Sequence, residues 1–187
     1  MRYLLAALLM ISIAACKKDP SQTTPTAVFS FDISGQHRTF NMSQITLQVI
    51  DTGAAKGKYL SFNNGSGTLP KVQFTLADRS PDYQSDCFSV GPYPSLAANS
   101  LCNGNSPSDF CVGFYMQYID TGVGQLGLFA VNDSTSSFTL TSCTGGTNGK
   151  PGTMNGTFSC LLTDSTGFIS PKQVTNGQLS YITFVRP

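Results

Sequence analysis

The chain has no glutamate, no tryptophan and a single histidine, His37, in 187 residues. Lys, Arg and Asp together make up 11% of it, against about 25% charged residues in an ordinary domain. The formal net charge is +1. Such a chain carries no basic footprint for nucleic acid. Without Glu, the commonest carboxylate pair of glycoside hydrolysis is missing, and only Asp is left for that role. Without Trp, sugar stacking falls to Tyr and Phe. No C-x-x-C spacing occurs, and His37 is distant from the cysteines, so no metal site is expected. No Gly-x-Ser-x-Gly elbow is present either. No cofactor signature stands out, and none is expected. What the chain does have is 40% hydrophobic residues, including 13 Phe and 7 Tyr, which argues against disorder and for a packed core.

The first residues carry a separate message. Arg2 precedes an apolar run from Leu4 to Ala14, which ends in Ile13-Ala14-Ala15-Cys16. This pattern resembles a bacterial lipoprotein signal with its lipobox. The resemblance implies cleavage before Cys16 and lipidation of the Cys16 sulfur. Residues 1–15 then leave the mature chain and play no part in the fold. The run is short of the roughly 20 residues that a spanning helix needs. Two or more acyl chains would make the anchorage stable. Lys17 after the cysteine, in place of Asp, points to the outer membrane, on a periplasmic or surface side that the sequence leaves open. Residues 16–26 form the lipidated cysteine and an extended tether, with PSQTTPT at Pro20 to Thr26. Residues 27–187 are expected to form a single domain.

Five cysteines remain beyond Cys16, and an exported chain can oxidise them. Cys143 and Cys160 flank a Gly-rich stretch, Thr144 to Gly156, and are candidates to staple the strands on either side. Two of Cys87, Cys102 and Cys111 are candidates for a second bridge, with one left over. The alternative is that these cysteines are small buried apolar residues.

Short alternating segments separated by Gly and Asn dominate the rest. They include Ala27 to Ile33, Gln44 to Ile50, Lys58 to Phe62, Lys71 to Ala77, Val112 to Ile119 and Leu126 to Val131. Ser137 to Thr141, Thr157 to Leu162 and Leu179 to Val185 continue the series. A period of two with β-branched and aromatic residues marks half-buried strands. Asn63-Asn64-Gly65, Thr144-Gly145-Gly146 and Asn176-Gly177 have turn chemistry. No long amphipathic helix is evident, though Pro94 to Leu101 suits a helical turn or two. The reading is all-β: one antiparallel β-sandwich or lipocalin/calycin-like barrel of about nine to eleven strands. Ser80 to Asp109, rich in Pro, Ser and Asn and holding Cys87 and Cys102, is an irregular insertion suited to binding or to stapled surface. Tyr83 and Tyr93 from it, with Tyr115, are the candidate contact side chains.

Leu47 to Gly53 (LQVIDTG) recurs as Met116 to Gly122 (MQYIDTG), which suggests one hairpin used twice. Asp-Thr-Gly after an apolar pair also resembles the active-site motif of aspartic proteases. That resemblance implies Asp51 and Asp120 sharing one proton and activating water. The same tripeptide is ordinary turn chemistry, because Asp bonds its own backbone two residues on.

Asn155-Gly156-Thr157-Phe158-Ser159-Cys160, followed by Val174-Thr175-Asn176-Gly177-Gln178-Leu179, resembles the ending of small uncharacterised Bacteroidota outer-envelope lipoproteins. The start, a strand, a turn at Ser34-Gly35 and then His37 to Phe40, fits the same group. Leu179 replaces the more usual Phe. The resemblance implies a β-rich fold and no catalytic residue. The expected role is a non-enzymatic, membrane-anchored envelope protein that binds a small apolar or amphipathic ligand in a barrel mouth. A glycan or another envelope protein held on a filled sandwich is the alternative.

Overall fold

A strand needs alternate residues to face the core, and one of the two longest strands here, Gly152–Asp164, keeps that alternation for thirteen positions. The computed structural model describes residues 26–42, 44–53, 56–65, 67, 69–93, 110–120, 124–131, 136–146 and 150–185, without side chains at 44, 110, 111 and 120. The expected signal segment, Cys16, most of the expected tether, the helical-turn candidate at 94–101 and Cys102 lie outside the described residues.

Among the described residues, eleven strands form one antiparallel sheet. They are β1 (Val28–Ile33), β2 (Gln36–Asn41), β3 (Gln44–Ile50), β4 (Gly57–Asn63), β5 (Lys71–Asp78), β6 (Gly91–Tyr93), β7 (Phe110–Asp120), β8 (Gln125–Val131), β9 (Ser137–Thr144), β10 (Gly152–Asp164) and β11 (Lys172–Phe184). The order is β2-β1-β11-β10-β8-β7-β5-β4-β3, with β9 branching from β10 and β6 lying beyond β9. β10 makes the branch because it is long. Thr153 to Ser159 pair with β9, and Leu162 to Asp164 pair with β8 along the same edge. The two outer strands of the main path, β2 and β3, are separated in the chain only by Met42 and Ser43. One stretch of chain therefore supplies both edges, and the sheet curls into a half-barrel.

The inside of the curl is filled. Phe29 lies 5.0 Å, ring centre to ring centre, from Phe158, 5.3 Å from Phe114 and 5.6 Å from Phe74. Phe74 in turn meets Phe62 at 5.2 Å and Phe138 at 5.5 Å. Offset and edge-on ring pairs add about 0.5–1.5 kcal/mol each beyond burial. A hollow calyx would need these positions small or vacant; six strands place phenylalanine rings there instead.

Two sequence expectations change here. Thr144 to Gly156 is not one long connection. Gly152 to Gly156 already belong to β10, with Thr153 opposite Thr144 and Gly156 opposite Leu140. Asn176-Gly177 is a bulge inside β11 instead of a turn between strands. The β10–β11 register slips between Phe158 and Cys160, and Asn176 takes φ +51°. A bulge inserts an extra residue on one strand and favours a residue that tolerates positive φ. Gly177 is required for a second reason: a Cβ there would fall 2.6 Å from the Phe158 ring.

Candidate functional site

The β1–β2 hairpin turns through Ser34 and Gly35, both at positive φ (50° and 74°). That is the tight two-residue connection favoured by twisted strands. Residues directly opposite on a hairpin share a face. Phe29 faces Phe40, Phe31 faces Arg38 and Ile33 faces Gln36. Because Phe29, Phe31 and Ile33 are buried, the same inner face carries Phe40, Arg38 and Gln36. Towards the hairpin tip this face outruns its cover, so Gln36 and Arg38 emerge into solvent.

At that end of the curl lies a half-open cleft of about 240 Å³, lined by Ile33, Arg38, Phe40, Leu69, Pro70, Met116, Tyr118 and Ile119. Its walls come from β1, β2, the lead-in to β5 and the end of β7. Tyr118 is held by stacking on Phe129 at 5.1 Å. Exposed Ile119 lies opposite exposed Leu126 across the β7–β8 hairpin and extends the apolar rim. Among the described residues Arg38 is the one cation of the lining. Its Nη2 donates to Gln36 Oε1 at 2.6 Å, and no carboxylate pairs with it among the described residues.

The outer face of the same strands has a different chemistry. Thr139, Thr157, Gln178, Ser30 and Thr39 stand in register across β9, β10, β11, β1 and β2. A shallow groove of about 300 Å³ runs there, lined by Ser137, Thr139, Thr157, Phe158, Ser159, Asn176, Gly177 and Gln178. Beside it, Asp32 accepts from Asn176 Nδ2 at 2.7 Å, and its other oxygen lies 2.6 Å from His37 Nδ1. The Asn176 amide and the His37 ring hold the Asp32 carboxyl below its usual range. His37 thus sits in a surface cluster built by the Asn176 bulge.

The other sequence candidates disperse. Asp51 follows β3 beside the start of β4, whose Lys58 is opposite Asp78, itself opposite Phe110 at the start of β7. Asp120 ends β7, ten residues and roughly 30 Å away at the rise of a strand. The two hairpins do recur, but their tips point to opposite ends of the sheet, so Asp51 and Asp120 do not form one dyad. Asp51 instead accepts from the Tyr83 hydroxyl at 3.0 Å and from Gln84 Nε2 at 3.1 Å. Tyr83 and Tyr93 are buried, not displayed: they are 4% and 5% exposed. Tyr93 donates to Ser89 O at 2.9 Å, and burial, followed by the charge of Asp78, pushes its phenol up. Tyr115 lies apart on β7, opposite Ala130 and Gln73. The three tyrosines therefore make no common contact face.

The expected Cys143–Cys160 staple is also replaced. Cys143 is bonded to Cys87. Cys143 lies opposite Met154, whereas Cys160 lies six residues further along β10, roughly 20 Å on, opposite Val174. Cys160 is a buried thiol in the core. The Cys87–Cys143 bridge pins the described part of the insertion, together with Lys58. The buried Lys58 ammonium donates to Cys87 O at 2.6 Å and Ser85 O at 3.0 Å. Among the described residues no three His, Cys or Asp side chains gather to hold a metal.

Sequence reasoning missed Arg38, although the signal was there: Gln36, Arg38 and Phe40 alternate in step with Ile33, Phe31 and Phe29 across a two-residue turn. The chain matches no family model, no curated protein and no solved structure.

Proposed function

We propose that this protein is a non-catalytic binding protein of a bacterial envelope, carried on the outer membrane by acyl chains on Cys16. It takes a small apolar or amphipathic ligand at the mouth of its half-barrel. The apolar cleft at the Ile33 end of β1 carries this reading. The tether joins the opposite end of that strand, so the cleft faces away from the point of attachment. The phenylalanine-filled interior supports a ligand seated at the mouth and not deep in the fold.

The test is methyl NMR of the mature chain with Cys16→Ser, which keeps detergent out of the cleft. Titration with medium-chain amphiphiles should move the methyls of Ile33, Leu69, Met116 and Ile119 and leave distant ones still. No shift at those methyls across the series sinks the reading.

A second reading has its own support. The neutral hydroxyl and amide row from Thr139 to Thr39 suits a glycan or a protein partner of the envelope. Shifts confined to the Thr139 and Thr157 methyls on adding neutral oligosaccharide would favour it.

A further inference from the structure

We propose that the cleft selects a small anion, a carboxylate on an apolar body of about eight carbon-sized groups, with Arg38 as its anchor. This rests on the cleft being a ligand site and adds the charge and size of what enters.

The charge follows from Arg38. A guanidinium stays protonated at any pH the protein meets, and its planar fork matches a carboxylate through two parallel hydrogen bonds. Here Gln36 Oε1 takes up one donor at 2.6 Å and leaves the rest of the fork available among the described groups. A neutral amide oxygen orients the guanidinium without neutralising it. The nearest described carboxylate in sequence, Asp32, is on the other face of β1 and is already held by His37 and Asn176. A cation entering the cleft would meet like charge at the rim and no compensating acid among the described residues of the lining. An anion would find a partner.

The size follows from the volume. About 240 Å³ corresponds to roughly eight water volumes at about 30 Å³ each. That holds one medium-length chain or one substituted ring. The floor, built from Ile33, Phe40, Leu69, Pro70 and Met116, offers apolar contact. The headgroup at Arg38 and the tail on that floor set a single orientation for the ligand.

The probes are octanoate, 1-octanol, octylammonium and octyl phosphate, below their aggregation limits, on the full mature chain carrying Cys16→Ser. Binding is followed by the Met116 and Ile119 methyl shifts. Octanoate should bind about tenfold more tightly than 1-octanol, a difference in the range of one charged hydrogen-bonded contact. Arg38→Gln should lower octanoate affinity by about tenfold and leave 1-octanol unchanged. Arg38 is exposed, so this variant keeps the core. Equal binding of octanoate and 1-octanol, with Arg38→Gln indifferent, would overturn the anion assignment while the cleft reading stands. Tighter binding of octylammonium would overturn it too. Tighter binding of octyl phosphate would overturn the carboxylate in favour of a phosphoryl head. Absence of shifts with every probe would end both the assignment and the cleft reading. A dimer in sedimentation that Ile119→Ser and Leu126→Ser convert to a monomer would assign the cleft to a second copy and overturn the proposal.

Discussion

Asp164 closes β10 with its carboxylate turned inward, 3% exposed, where a charge is costly unless it is well bonded. It accepts from Leu128 N at 3.1 Å, from Phe168 N and Ile169 N at 3.2 Å each, and from the Thr166 hydroxyl. Burial pushes this carboxyl up, but the Thr166 hydroxyl and the backbone amides outweigh it and bring it down to about 2. The native value lies below the unfolded one of about 3.9, so the stabilisation is in full force at neutral pH. It fades as pH falls from about 4 through 2. The midpoint of urea unfolding should hold from pH 7 to 5 and drop below pH 4. Asp164→Asn should cost about 2 kcal/mol at pH 7, in the range for hydrogen bonds to a charged group. The variant should also flatten the acid limb; an unchanged acid limb would transfer that role to another carboxylate. Residue by residue, the sequence disclosed some of this and hid the rest. Alternation through Phe158, Cys160 and Leu162 points Asp164 inward, yet Asp-Ser-Thr by itself reads as an exposed turn. Arg38 was similarly readable from the hairpin register, whereas the Asp32–His37–Asn176 cluster was not. Asp32 and Asn176 are 144 residues apart and meet only through the β1–β11 pairing.

At the scale of elements, the insertion after β5 is where the sheet departs from simple alternation. Leu76, Ala77 and Asp78 are all buried, because the described part of the insertion covers the outward side of β5. The Cys87–Cys143 bond closes this cover across 56 residues of chain. By loop-closure entropy such a bond stabilises by about 4 kcal/mol. Replacing both cysteines by serine, or reducing the bond, should lower the unfolding free energy by about that amount in denaturant titration. A change under about 1 kcal/mol would mean that Lys58 and the buried Tyr83 hold the cover without it. Most strands were visible from their period of two, including both Asp-Thr-Gly hairpins. The early start of β10 was not, because Gly152 and Gly156 look like loop residues until Phe184 and Phe138 are seen against them. Nor was the Asn176 bulge, whose Asn-Gly pair has the same composition as a turn. The cysteine pairing was out of reach for a related reason: it depends on which strands become neighbours at the β10 branch, and spacing along the chain does not report that.

At the scale of the molecule, the point where the chain enters β1 and the cleft lie at opposite ends of that strand. Eleven residues lie between Cys16 and Val28, a span of at most roughly 40 Å when extended. If Cys16 carries the lipid, Cys16→Ser should move the protein from the membrane to the soluble fraction of cells. It should also abolish labelling by an alkyne fatty acid while leaving the strand signature in circular dichroism unchanged. Persistent membrane association of the variant would require a different anchor. The pairing of Val28 with Ser180 has one more consequence. A ribosome makes β1 first and β11 last, and β1 lies between β2 and β11. The hairpin of β1 and β2 can close early, but its apolar side waits for partners up to about 150 residues downstream. Such long-range closure is slow and leaves sticky surface uncovered in the meantime. Until that final strand arrives, Phe29 and Phe31 lack part of the cover they have in the finished sheet.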